Sequence, residues 1–210
     1  MGPEMKTSTS VAFLLAMTIG GAALAQGRLP TIPPDKYSDE QRKAAEEFQA
    51  ARKVPVFGPF NPLMYSPQVM NQARAMGDYL RYNSAIGNTL SELVILITAR
   101  EWNQDYEWHV HHAIALKVGI KPEIVDAIAD GRRPTGMGED EEVVYDFLSE
   151  LHRNKRVSDR TFERAEKRFG KKGVVDLTAI NGYYTLLAME MNVARYEIPK
   201  DGKKLTRFPE

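Results

Sequence analysis

Cysteine is absent from all 210 residues of this chain. That single absence removes disulfides, thiolate metal ligands, CxxC redox cycling and cysteine nucleophiles. Stability must therefore come from packing, self-association or a bound ligand. A surplus of charge is also missing, because 28 Lys and Arg face 28 Asp and Glu. Nothing draws such a chain electrostatically to nucleic acid or acidic lipid, and aromatic-interleaved basic surfaces for nucleic acid are missing too. Strand signals are scarce, with no alternating run paired through a hairpin turn. The composition and periodicity define an all-α class, without a fixed-period repeat.

What is present begins with Met5, Lys6, a polar Thr7 to Ser10, an apolar VAFLLAMTIGGAA, and small residues at Ala23 and Ala25. A basic start, a short apolar centre and small cleavage-site residues make a secretory signal. The apolar run falls short of the roughly 20 residues that a membrane span needs. Residues 1–25 are expected to be cleaved, which places the protein outside the cytoplasm, in a bacterial periplasm, with no membrane association afterwards. The remainder is one domain's worth of chain: an N-terminal arm and helix at 26–60, a helical domain at 61–200 and a C-terminal tail at 201–210.

Helix signals follow in order. Ser38 caps SDEQRKAAEEFQAARK, with acids in its first turn and bases at its end. VPVFGPFNPLMYSP, rich in proline and aromatics, reads as a loop lying on the core rather than a ligand lid. Ser66-Pro67 opens a helix with the apolar beat Val69, Ala73, Met76, Leu80. Thr89-Leu-Ser-Glu92 has the form of a capping box before LVILITA, which is apolar on every side and hence central or interfacial. A short connection from Trp102 to Asp105 leads to YEWHVHHAIALKV, stopped by Gly119. Lys121-Pro122 begins a short helix ended by Gly131. EDEEVVYDFLSELHRN, a helix from Ser158-Asp159 to near Gly170, and GVVDLTAINGYYTLLAMEMNVARY complete the set, with Gly182 allowing close packing.

Glu107 and His111 stand one helical turn apart, on one face. A carboxylate beside an imidazole suits acid–base work near neutrality, and Ala115, one turn on, leaves room for a ligand. By spacing alone the pair also reads as an ordinary surface pair, and Glu92 as a capping-box carboxylate. His109 and His112 point to other faces. A metal centre drawing on Glu92, Glu107, His109, His111 and His112 is an alternative on composition, although EWHVHH is not HExxH.

The segment SELVILITAREWNQDYEWHVHHAIALKVGIKPEIVDAI resembles the core of the carboxymuconolactone decarboxylase and alkylhydroperoxidase-D-like superfamily, and GVVDLTAINGYYTLLAMEMN resembles its closing helix. The peroxidase branch carries Glu, Cys, Cys and His where this chain has Glu92, Gln104, Glu107 and His111. Both thiols are replaced, so hydroperoxide reduction by that route is chemically excluded. The resemblance to the decarboxylase branch implies proton transfer or decarboxylation on a small lactone, keto acid or aromatic-derived acid, without a cofactor. In that scheme His111 moves the proton, Glu107 orients and charges the ring, and Glu92 relays from the neighbouring helix. Arg100 and one of Tyr183 and Tyr184 would contact substrate, while Trp102 packs. A non-catalytic binding or scaffold protein on the same fold is the other reading; a closed pocket at Glu107 and His111 argues against it and open exposure for it. The resemblance also implies self-association into homotrimers or homohexamers.

Overall fold

Eight α-helices and no strand are formed by residues 27–207, the part of the chain that the computed structural model describes. The signal-peptide reading of residues 1–25 lies outside them. A 3-10 turn at Pro34–Lys36 precedes α1 (Asp39–Arg52), α2 (Phe60–Leu63), α3 (Pro67–Tyr82), α4 (Gly87–Glu101), α5 (Asp105–Lys117), α6 (Pro122–Ala129), α7 (Glu139–Asn154) and α8 (Asp159–Ala194). Gly170, at φ 68°, breaks α8 into two helical pieces, in agreement with the stop expected there.

α4 is the axis. Every residue from Leu90 to Arg100 is buried, because α3, α5, α6, α7 and α8 all pack against this helix. A helix apolar on all faces gains most from being surrounded, at roughly 25 cal/mol per Å2 of apolar surface removed from water. α1 belongs to the same core, burying Ala44 and Phe48. Its start follows the expected chemistry, with Ser38 and Gln41 forming a reciprocal capping box.

Several local expectations give way to tertiary packing. Thr89 and Glu92 do not form a capping box. α4 begins earlier, at Gly87, the Thr89 hydroxyl donates to the Val118 carbonyl at 3.0 Å, and Glu92 turns inward to His111. The buried stripe of α3 is Met70, Ala73, Gly77 and Leu80, whereas Val69 and Met76 are exposed. Ser66 precedes α3 without a side-chain cap bond. Gly182 is exposed and open on its outer side, so it brings no helix of this chain closer. The close approach is at Gly77, where an added Cβ would lie 2.3 Å from the Tyr183 hydroxyl. VPVFGPFNPLMYSP folds into α2 and buries Phe60, Leu63 and Met64, but it also roofs a cavity, so core packing and lid are one segment.

Candidate functional site

The α4–α5 hairpin sets the centre of the site. Its turn runs through Asn103, at φ 47°, and buried Gln104, whose side chain accepts from the Tyr106 N–H at 2.6 Å and donates to Asn192 at 3.0 Å. Gln104 thus caps α5 at a position where the peroxidase pattern has a cysteine. With the turn so fixed, the antiparallel helices place Glu92 of α4 opposite His111 of α5. His111 Nδ1 lies 2.7 Å from Glu92 Oε2, and both side chains are buried. A hydrogen bond between Nδ1 and Glu92 holds the ring in one orientation.

Glu107 occupies the same face but does not touch the ring by a hydrogen bond. Its carboxyl is 2% exposed, and neither oxygen has a hydrogen-bond partner. Burial pushes its pKa well above the ordinary carboxyl range, since an unpaired charge in an apolar site is heavily penalised. The contact expected from helical spacing is therefore made by the other carboxylate: Glu92, not Glu107, is bonded to the imidazole, and Glu107 is buried without a partner.

Both side chains line a cavity of about 50 Å3. The Tyr184 ring meets His111 edge-on at 5.2 Å, and Tyr183 meets Tyr184 at 5.1 Å. The two tyrosines both line the cavity, although neighbours on a helix were expected to diverge. Burial raises Tyr183 up to about 12 and Tyr184 well above its usual value, so both phenols keep their protons. Phe57, Pro59 and Phe60 close the roof. Gly58 permits this closure, because at φ 55° its backbone lies against Tyr106, whose hydroxyl would be 2.7 Å from an added Cβ.

Two guanidiniums reach this cavity, and sequence reasoning missed both. Arg52 lies over the Phe60 ring at 4.5 Å and pairs with Asp78 at 2.9 Å. Arg81 faces Glu92 at 4.0 Å, whose other oxygen is held by His111. The only signal for either was a basic residue at a helix end, which is commonplace. Arg100 is not part of the site. Its Nη1 donates to the Thr206 carbonyl at 2.7 Å, and it lines a separate, larger cleft of about 240 Å3 with Glu101, Arg132 and His152. That cleft contains none of Glu92, Glu107 and His111.

The remaining candidates are placed elsewhere. Ala115 is packed in the core and lines no part of the cavity. Trp102 donates to Thr185 at 3.2 Å, which suits its packing role. His109 accepts from the Lys203 N–H at 3.0 Å, and His112 lies 2.8 Å from Lys203 Nζ, so both are turned to the C-terminal tail. Among the described residues no group of three or more His, Asp or Glu side chains is placed to hold a metal ion, and the alternative metal centre is not assembled there.

The described residues form an all-helical structure with the core fold of alkylhydroperoxidase D. No family model and no curated protein matches the sequence. Among solved structures, the chain is similar to the alkylhydroperoxidase AhpD core of an uncharacterized peroxidase-related protein from Ralstonia eutropha JMP134, at TM-score 0.66 and 18% identity over 83% of this chain and 93% of that one. It is also similar to an uncharacterized peroxidase-related protein from Silicibacter sp. TM1040, at TM-score 0.64 and 15% identity over 81% and 91% of the two chains. Identity at this level speaks to the shared fold. The chemistry must be read from the residues present, which include no thiol.

Proposed function

We propose that this protein is an acid–base enzyme acting on a small oxo acid or lactone acid, by proton transfer or decarboxylation next to the carbonyl. The observation that carries this reading is the pairing, in one cavity, of an imidazole bonded to Glu92 with a buried Glu107 whose carboxyl has no partner. Burial of both groups favours catalysis over the scaffold alternative. In proton transfer, His111 Nε2 removes the proton from the carbon beside the carbonyl. Glu107 donates a hydrogen bond to the oxygen that gathers the electron pair. The proton then returns to carbon from the imidazolium, whose charge the Glu92 carboxylate stabilises. In decarboxylation of a 3-oxo acid, whose carboxylate sits on the carbon beside the carbonyl, the C–C bond supplies the same electron pair as CO2 departs, and His111, entering this cycle as the imidazolium, gives its Nε2 proton to that carbon and is reprotonated from solvent. Arg81 is the cation suited to a substrate carboxylate, since its contact with Glu92 is a loose 4.0 Å whereas Arg52 is engaged by Asp78 at 2.9 Å.

The test is proton exchange in D2O, followed by NMR, over a panel of 2-oxo acids and lactone acids. The wild type is expected to speed exchange beside the carbonyl, and His111→Ala to lose about 10²–10⁴-fold of that rate. Equal rates in the two proteins would remove His111 as the proton carrier.

We also propose that the chain self-associates through the outer face of α8. Val175, Leu186, Met189 and Val193 are exposed there, with Gly182 open to solvent among them. Val175, Gly182 and Met189 recur at the heptad interval, the pattern of a seam between helices, and the glycine lets a second copy come close. Light scattering should give a mass above the monomer for the wild type and a monomer for the Leu186→Glu, Met189→Glu double variant. A monomeric wild type would end this proposal. A homotrimer or homohexamer is the assembly expected from the resemblance.

A further inference from the structure

The cavity at Glu107 and His111 is too small for a whole substrate of the proposed class. At about 50 Å3, and with about 10–15 Å3 needed per water-sized group, it takes a handful of non-hydrogen atoms. Beyond it lies an outer cleft of about 590 Å3 lined by Val54, Phe57, Asp78, Tyr79, Tyr82 and the two arginines. Arg52, Phe57 and Arg81 line both spaces, so the cleft adjoins the cavity across these three side chains.

The chemistry changes in order along this path. Innermost are Glu107 and His111, then Arg52 and Arg81, and outermost a set of exposed apolar walls. Val54 is 43% exposed, Phe57 43%, Tyr79 42% and Tyr82 67%. The cleft's one carboxylate, Asp78, is committed to Arg52 and Arg74 at 2.9 Å each. The Tyr79 hydroxyl is engaged by Lys172 at 2.7 Å, which leaves its ring as a wall. Tyr82 projects beside Arg81, whose guanidinium lies 5.7 Å from the ring centre.

We infer that the substrate is an amphipathic acid, with an oxo-acid head in the Glu107–His111 cavity and an aromatic or aliphatic tail in the outer cleft against Val54, Phe57 and Tyr82. The inference rests on the proposed acid–base reading and adds the tail. A small polar metabolite would leave the cleft unused, whereas a tail on the carbon beside the carbonyl would pass Arg52 and Arg81, the side chains that the two spaces share. Phe57 and Tyr82 then set specificity by the apolar surface they cover, and Arg81 fixes which end enters.

Calorimetric titration with 2-oxobutanoate and with 4-phenyl-2-oxobutanoate tests this, because the two probes share a head and differ in the tail. The phenyl compound is expected to bind about tenfold more tightly or better, the gain that burial of one ring supplies. In Tyr82→Ala the ratio of affinities should fall toward one, and Tyr82→Phe should restore it. Equal affinities in the wild type would overturn the tail and leave the head reading standing. Binding of neither probe would overturn the head reading, and the tail with it. A change of oligomeric mass in Tyr82→Ala would show the cleft to be a contact between copies and would also overturn the inference.

Discussion

Glu107→Gln is expected to lower the rate of carbonyl-adjacent proton exchange about a hundredfold or more, while raising the melting temperature increasingly above pH 5. Loss of a positioned acid accounts for the first effect. The second follows from proton linkage. The Glu107 carboxyl, buried without a partner, holds its proton well above the ordinary value of 4.5, whereas the unfolded chain releases it near that value. The native state therefore binds more protons over the interval, and stability declines as pH rises from the unfolded pKa to the folded one. The slope is about 1.4 kcal/mol per pH unit for such a group. For a chain of this size that is about 3–6 °C per pH unit. Glutamine has no proton to lose, so its advantage over glutamate should widen in scanning calorimetry as pH rises above the unfolded carboxyl pKa. Glu190, pushed up to about 8 by burial, adds a slope of the same sign, which remains in the Glu107→Gln variant. A pH-independent difference between wild type and variant would mean that Glu107 is ionised in the native cavity and cannot serve as the acid.

A large loss of stability is also expected from Asp176→Ala, outside the site. Asp176 is 4% exposed and joins three elements. It accepts from the Ala85 N–H in the α3–α4 connection at 2.8 Å, from Lys172 at 2.8 Å and from the Tyr79 hydroxyl at 3.3 Å. Burial by itself would raise its pKa, but the bonds from Lys172 and Ala85 and the charge of Lys172 outweigh that and hold it below the ordinary value of 3.8. Lys172 is largely solvated, so its loss of a partner matters little. The Ala85 N–H and the Tyr79 hydroxyl lose a charged acceptor, at about 1.5–3 kcal/mol for a bond of this kind. A total of about 3 kcal/mol corresponds to a melting temperature about 6–12 °C lower. Asp176→Asn should recover part of this by keeping an acceptor for Ala85. The depressed pKa gives the opposite linkage sign to Glu107: the contribution of Asp176 is present above its unfolded pKa and fades as pH falls through the folded one. The gap between wild type and Asp176→Ala should therefore narrow in acid. A constant gap down to pH 2 would show the carboxylate charge to be irrelevant.

How far the site could be read from the residues differs from one side chain to the next. Glu92, Glu107 and His111 were found, and the structure brings all three together. Their division of labour was not. Spacing by one helical turn puts Glu107 and His111 on one face, but the shortest contact of a buried ring is decided by the helix packed opposite it. That helix presents Glu92 because the Asn103–Gln104 turn sets the register of the hairpin. The arginines show the same limit. Arg52, Arg81 and Arg100 all stand near helix ends, and no local pattern separates them. Only the packing of α1 on α3, and of α3 on α8, carries two of them to the cavity.

From the sequence alone came the absence of thiol chemistry, the all-helical class, most helix boundaries and the central place of α4. These depend on composition and on contacts a few residues apart, through caps, glycine stops and apolar periodicity. Tertiary structure alone decided that Glu107 is an unpartnered acid, that Glu92 holds His111, that Phe57 and Phe60 roof the cavity, and that Gly77 rather than Gly182 admits close packing. Each of these depends on which groups distant in the chain share a low-dielectric space. Burial and partners in that space set a carboxyl's charge and a histidine's orientation, and neither is encoded in the residue's near neighbours.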